Sequence, residues 1–312
     1  MFPPPQFPNR SELAQLIGFR APGPPTFETR REEHEDRHTR SLLSYRSPDG
    51  DDVVAYLLVP EGEGPFPAVV CHHQHNSAIH LGKSEPAGVA GDPLQAFAPA
   101  LASRGVLVLA PDSLCFEDRR RGRAGREPHD DDGRRHFNEL CYRLVRGDTL
   151  ARKVVSDSAL AVSLLEAMAS VDGRRIGMLG HSYGGNTVLF HAAVDERVRF
   201  ACSSGAACSY RRRIASGTGI ELASVIPGFT ERFDVEDLVR CIAPRPLLLV
   251  SATDDPYSED AEEIEAAGRE AYEQLGAGGR LEHVRADGDH TLDHDRFDRI
   301  VSWTEEAARR AG

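Results

Sequence analysis

Apolar residues in this chain recur with two periods, and the two kinds of stretch alternate. Short, almost unbroken apolar runs occur at Ala68-Val69-Val70-Cys71, Val106–Ala110, Arg175–Leu179 and Pro246–Ser251. Such runs predict strands buried on both faces, the mark of a parallel sheet covered on both sides. Leu281–Val284 alternates as another strand does. Between these lie segments whose apolar positions recur every three or four residues. The longest runs from Asp148, a plausible N-cap, to about Ala169, with Val155, Ala159, Val162 and Leu165 on one stripe. Leu94–Ala102, Asn186–Val194 and Arg296–Arg309 predict further helices, the last with Phe297, Val301 and Ala308 on one side. Near the start, Arg40–Tyr45 and Val53–Val59 flank Ser47-Pro48-Asp49-Gly50, an antiparallel hairpin that opens the sheet. Strand and helix in alternation predict an α/β protein: a mostly parallel central sheet with helices on both faces.

Breaks in the pattern mark the organisation. Residues 1–36 are proline-rich and then charged, which predicts an N-terminal arm laid on a single domain of residues 37–312. Two inserted segments interrupt the alternation, near residues 116–147 and 206–233. The first holds Arg119-Arg120-Arg121 and Asp130-Asp131-Asp132; the second holds Tyr210-Arg211-Arg212-Arg213 and Ser216-Gly217-Thr218-Gly219. Insertions at the carboxyl edge of such a sheet sit above the site and shape its pocket.

Chemistry concentrates at Gly180-His181-Ser182-Tyr183-Gly184-Gly185, which follows a predicted strand and opens a predicted helix. A strand–turn–helix around Gly-x-Ser-x-Gly presents a serine nucleophile, with Gly180 and Gly184 making room where the backbone doubles back. A serine hydroxyl needs a base to take its proton and a carboxylate to orient that base. The strand Pro246–Ser251 runs into Asp254-Asp255-Pro256, and the strand at Leu281–Val284 delivers Gly288-Asp289-His290. Asp255 is the expected acid, with Asp254 bracing the turn, and His290 the expected base. The oxyanion of an acyl-transfer intermediate needs preoriented donors. One is expected at the Tyr183 N–H, at the start of a helix, and a second from Gln74 or His75 in the loop after Ala68–Cys71. His73, His181 and Arg211 are further candidates for the substrate pocket. His72, His73, His75 and His80 lack the i, i+4 spacing of a helical zinc site, so no metal is expected.

A net charge of −12 over 312 residues argues against nucleic acid as a partner. The start of the chain lacks the charged-then-apolar pattern of a secretory leader, and no apolar run reaches about 18 residues. Six dispersed cysteines lack the spacing of a disulfide framework. The expectation is a cytoplasmic enzyme without membrane contact that takes a small-molecule ester; a homo-oligomer is compatible with it.

The stretches His73-Gln74-His75-Asn76, His80-Leu81-Gly82-Lys83-Ser84-Glu85, Ala110-Pro111-Asp112, Arg175–Gly185 and Ala243-Pro244-Arg245-Pro246 resemble the dienelactone hydrolase-related and acetyl xylan esterase-related α/β-hydrolases over roughly residues 40–308. The resemblance implies an α/β-hydrolase fold and cofactor-free esterase chemistry, with Ser182, Asp255 and His290 at the triad positions. Two departures stand out: a serine where true dienelactone hydrolases have cysteine, and His-Gln-His-Asn in place of a glycine-rich oxyanion loop. A peptidase or amidase of the same fold is the main alternative, then a metal-dependent hydrolase centred on His72–His80, then a binding protein on a hydrolase scaffold.

Overall fold

In a computed structural model, which describes residues 9–311, nine strands form one sheet in the order β1-β2-β3-β5-β4-β6-β7-β8-β9. The chain begins with α1 (Arg10–Ile17), followed by β1 (Phe27–His34), β2 (His38–Arg46), β3 (Asp52–Pro60) and β4 (Phe66–His72). Next come α2 (Phe97–Ala102), β5 (Leu107–Pro111), α3 (Asp132–Val145), α4 (Leu150–Ala167) and β6 (Val171–His181). The second half runs through α5 (Tyr183–Val194), β7 (Ala201–Ser204), α6 (Tyr210–Ser216), α7 (Val235–Ile242), β8 (Leu247–Ala252), α8 (Ala261–Gln274), β9 (Leu281–Ala286) and α9 (His294–Arg310). β1, β2, β3 and β5 pair antiparallel; from β5 through β4, β6, β7, β8 and β9 every pairing is parallel.

The central strands are apolar at successive positions because each faces a layer on both sides. In β8, Leu247 and Leu249 join one core with α4, α5, α7 and α8, whereas Leu248 and Val250 join a second core with α2 and α9. β4 splits the same way, Ala68 and Val70 to the first core and Val69 and Cys71 to the second. Period-two alternation is thus present, with both phases apolar. Emptying one position, as in Leu249→Ala, removes about 2–5 kcal/mol by loss of transfer energy and an unfilled cavity.

Of the arm expected over residues 1–36, the described part contributes α1 and β1 to this body. Leu13 and Ile17 of α1 are buried in the first core, and β1 hydrogen-bonds along β2 as the sheet's edge. β1 escapes the hydrophobic pattern because it is exposed along almost its whole length and reads Phe-Glu-Thr-Arg-Arg-Glu-Glu-His, the charged composition that keeps an edge strand from pairing further. The proline run at residues 3–5 lies outside the described residues.

Among the described residues, no helix is long and apolar enough to cross a membrane. All six cysteines are thiols, five of them buried.

Candidate active site

The turn at Ser182 is close-packed. Ser182 stands between β6 and α5 at φ 56° and ψ −117°, a conformation that non-glycine residues avoid. Its N–H donates to Ser204 O at 2.7 Å, which fixes the turn to the end of β7. A Cβ on Gly180 would lie 2.3 Å from the Gly184 carbonyl carbon, and one on Gly184 would lie 2.5 Å from His72 O. Both glycines are therefore required by contact between backbones, as the motif predicts.

Three side chains from the carboxyl ends of different strands converge here. His290 Nε2 lies 2.8 Å from Ser182 Oγ, and His290 Nδ1 lies 2.9 Å from Asp255 Oδ1. With Asp255 ionised, the Nδ1–H donates to it and leaves Nε2 free to accept the serine proton. Burial pushes the Asp255 carboxyl up, but hydrogen bonds from His290, Ser258 Oγ at 2.6 Å and Tyr257 N–H at 2.9 Å outweigh it and hold the group below its ordinary value. Asp254 is exposed, and its N–H braces the turn by donating to Gly288 O at 2.9 Å.

Two expected pocket histidines lie under the site rather than in it. His181 is buried, its Nδ1 lies 2.9 Å from Ser204 Oγ, and its ring centroid is 4.9 Å from that of His290. Burial pushes its imidazole down to about 3, so the ring beside His290 is neutral. His73 is buried and stacked on Tyr183; its Nδ1–H donates to Gln74 O at 2.8 Å and its Nε2 accepts from Ser113 N–H at 3.1 Å. The Tyr183 hydroxyl in turn lies 2.5 Å from Ser113 Oγ. The Gln74 side chain donates to Glu85 at 3.1 Å, so the loop after β4 is tied down on several sides.

A cleft of about 650 Å³ opens over Ser182 and His290. His75 and His80 line it from the loop after β4, Pro128, Asp132 and His136 among others from the first inserted segment, Arg213 and residues 219–222 from the second, and Tyr257 from the turn after Asp255. Arg211, expected here, is not on the wall. It points outward to Asp234 and Glu236, and Arg213 lines the cleft instead. Successive residues on a helix point about 100° apart, so only one of three adjacent arginines can face inward. The run gives no clue to which. His136 also lines the cleft, with both ring nitrogens lacking a hydrogen-bond partner and burial pushing it down to about 3.

The four clustered histidines do not converge. His72 Nε2 faces Ser158 Oγ of α4 at 2.8 Å, and His73 is held as described. Among the described residues, the one acidic group close enough to share an ion is Asp112, Glu117 and Asp118. Its oxygens lie 2.9, 2.6 and 2.7 Å from the buried Lys83 Nζ, so an ammonium already fills that position.

No protein-family model matches the chain. YtaP of Bacillus subtilis (strain 168), named provisionally as a hydrolase, is 28% identical over 307 residues, spanning 95% of this chain and 98% of that protein. Carbohydrate esterase MZ0003, from an unknown prokaryotic organism, is 34% identical over 137 residues, which is 38% of this chain and 32% of that esterase. Among solved structures, a glucuronoyl esterase from Solibacter usitatus superimposes with a TM-score of 0.67 at 17% identity, over 96% of this chain and 92% of that one. The sheet order, the strained serine elbow and these likenesses together make the chain a protein of the α/β-hydrolase fold, similar along most of its length to hydrolases of that architecture.

Proposed function

We propose that the protein is a serine hydrolase that cleaves carboxylic esters through an acyl-enzyme on Ser182. The observation that carries this reading is the continuous hydrogen-bonded line Ser182 Oγ, His290, Asp255, ending at the floor of an open cleft. His290 Nε2 takes the hydroxyl proton as Ser182 Oγ bonds to the ester carbonyl carbon, and Asp255 stabilises the imidazolium. The carbonyl oxygen becomes an oxyanion that the Tyr183 N–H receives at the start of α5, together with an amide of Gln74 or His75. The imidazolium then protonates the departing alcohol, and the same imidazole deprotonates a water that releases the acid.

The printed names of the relatives, a carbohydrate esterase and a glucuronoyl esterase among them, support a small ester borne on a sugar as substrate. A polar cleft wall of imidazoles and Asn186 suits such a molecule. Six cysteines without a disulfide support a reducing, intracellular setting.

The test is intact-mass analysis after exposure to a fluorophosphonate and to activated esters. One adduct per chain is expected, located by peptide mapping at Ser182, with loss of esterase activity in step with labelling. Full ester turnover in protein completely labelled at Ser182 would refute the assignment.

A further inference from the structure

Arg213 is a buried cation with no counter-ion. It is 5% exposed, and among the described residues no carboxylate lies within ion-pair distance of it. Its neighbours differ: Arg211 pairs with Asp234 and Glu236, and Arg212 with Glu259. The contacts Arg213 does make are to main-chain carbonyls, Nε to Cys208 O at 3.2 Å, Nη1 to Gly219 O at 3.0 Å and a long one from Nη2 to Tyr257 O at 3.4 Å. A guanidinium carries five N–H donors, so two are left over. Holding an uncompensated cation out of water is costly, and the cost falls when an anion arrives.

The position of this charge relative to the triad gives it a use. Arg213 lines the cleft that holds Ser182 and His290. Its guanidinium carbon is 5.6 Å from the centre of the Tyr257 ring, and that ring lies 4.8 Å from the ring of His290. The Tyr257 ring is thus a neighbour of both the cation and His290. Among the described residues, the acids around the cleft lie beyond ion-pair distance of Arg213. Asp260 accepts from Ser209 N and Oγ, Glu221 accepts from Leu222 N, and Asp132 on the facing wall is paired with Arg120 and Arg123.

We propose that the cleft takes esters carrying a second, free carboxylate, and that Arg213 is the specificity-determining residue that binds it. The substrate class is the half-ester of a dicarboxylic acid or an ester of an acidic sugar, with the scissile carbonyl at Ser182 and the spare carboxylate beyond Tyr257. Planar, two-pronged donation to a carboxylate is what a guanidinium with free N–H groups provides and an ammonium does not. This rests on the serine-esterase reading above.

Two matched pairs of chromogenic esters test it: the mono-4-nitrophenyl ester of glutaric acid against 4-nitrophenyl pentanoate, and 4-carboxyphenyl acetate against 4-methylphenyl acetate. In at least one pair the anionic member should have a kcat/KM about ten-fold or more above its neutral partner. Arg213→Gln should abolish that ratio and Arg213→Lys should keep only part of it. Free glutarate or benzoate should inhibit wild-type protein competitively, and less as salt is raised; this readout stands even where a variant does not fold. Equal turnover within both pairs, or a preference that survives in Arg213→Gln, would overturn the role of Arg213 while leaving the esterase intact. No turnover of any of the four esters, with no phosphonate adduct at Ser182, would overturn both.

Discussion

Ser182, His290 and Asp255 form a line of hydrogen bonds of 2.8 and 2.9 Å; Ser158, His191 and Asp195 form another, of 2.8 and 3.0 Å. The residue types are the same and the distances are nearly so. Ser158, however, lies inside α4 and is 1% exposed, and its hydroxyl is already shared with His72 Nε2 at 2.8 Å. With Asp195 ionised, His191 Nε2–H donates to it, Nδ1 accepts from the Ser158 hydroxyl, and His72 Nε2–H donates to the same oxygen. Each polar atom in that buried line is satisfied, and burial keeps both imidazoles neutral. Ser182 differs in standing at a strained turn, facing a cleft, at the amino end of a helix. The two lines share their residue types and part at one property, an accessible hydroxyl at the amino end of a helix, which is what the proposed acyl transfer requires.

The sharpest way to break the comparison is to truncate both serines. Ser182→Ala should lower kcat for an activated ester by on the order of 10⁵-fold or more, without moving the melting temperature appreciably. Ser158→Ala should retain most turnover but lose about 1–3 kcal/mol of stability, because two buried imidazoles lose a partner. Denaturant titration beside the ester assay reads both. A reversed outcome would make the buried line the reactive one.

Asp255→Asn should cost on the order of 10⁴-fold in kcat by favouring the wrong His290 tautomer, whereas Asp254→Asn should stay within a few-fold of wild type. Steady-state kinetics on the two variants decides which carboxylate orients the base. A smaller effect is expected from Gly205→Ala. The new Cβ would meet His181 Cε1 at 2.8 Å and His290 Cε1 at 3.0 Å, at a residue of φ 61°. Displacing the base by such contact should lower kcat by about 10²-fold. The phosphonate labelling rate should fall in parallel.

The smallest effect concerns pH. Burial pushes His73 down to about 4, and His136 and His181 to about 3. These rings are neutral in the fold, while in the unfolded chain they take up protons near pH 6.5. Stability is therefore fully present above about pH 6.5 and is lost progressively as pH falls from there toward the folded values. Each ring should cost about 1 kcal/mol between pH 6.5 and 5.5. Melting curves across that range should show the slope, and His136→Phe should make it shallower.

Much of the fold was legible because parallel strands buried on both faces leave unbroken apolar runs. The grouping of Ser182, Asp255 and His290 was legible because each of the three follows such a run at the sheet's carboxyl edge. Helix limits were off by up to three residues, as at the starts of α2 and α5; Thr149, not Asp148, caps α4, since Asp148 is drawn to Arg143 and Arg152. α3 was hidden in a charged insert because its inward stripe holds little beyond Asp132, His136 and Leu140. Arg213 was hidden for another reason: with about two turns of helix and three identical side chains in a row, the rotational phase of α6 is invisible until the chain is folded. Ser258, which completes the partners of Asp255, carries no signal in the sequence at all.

Lys83 has a consequence for how this architecture diversifies. It sits in the loop after β4, and the three carboxylates that grip it all follow β5. One ammonium thus rivets two neighbouring loops into a single plate. Change in such a protein is channelled away from that plate and into the inserted segments, at residues 128–136 and 213–222, where new side chains can be tried without loosening it.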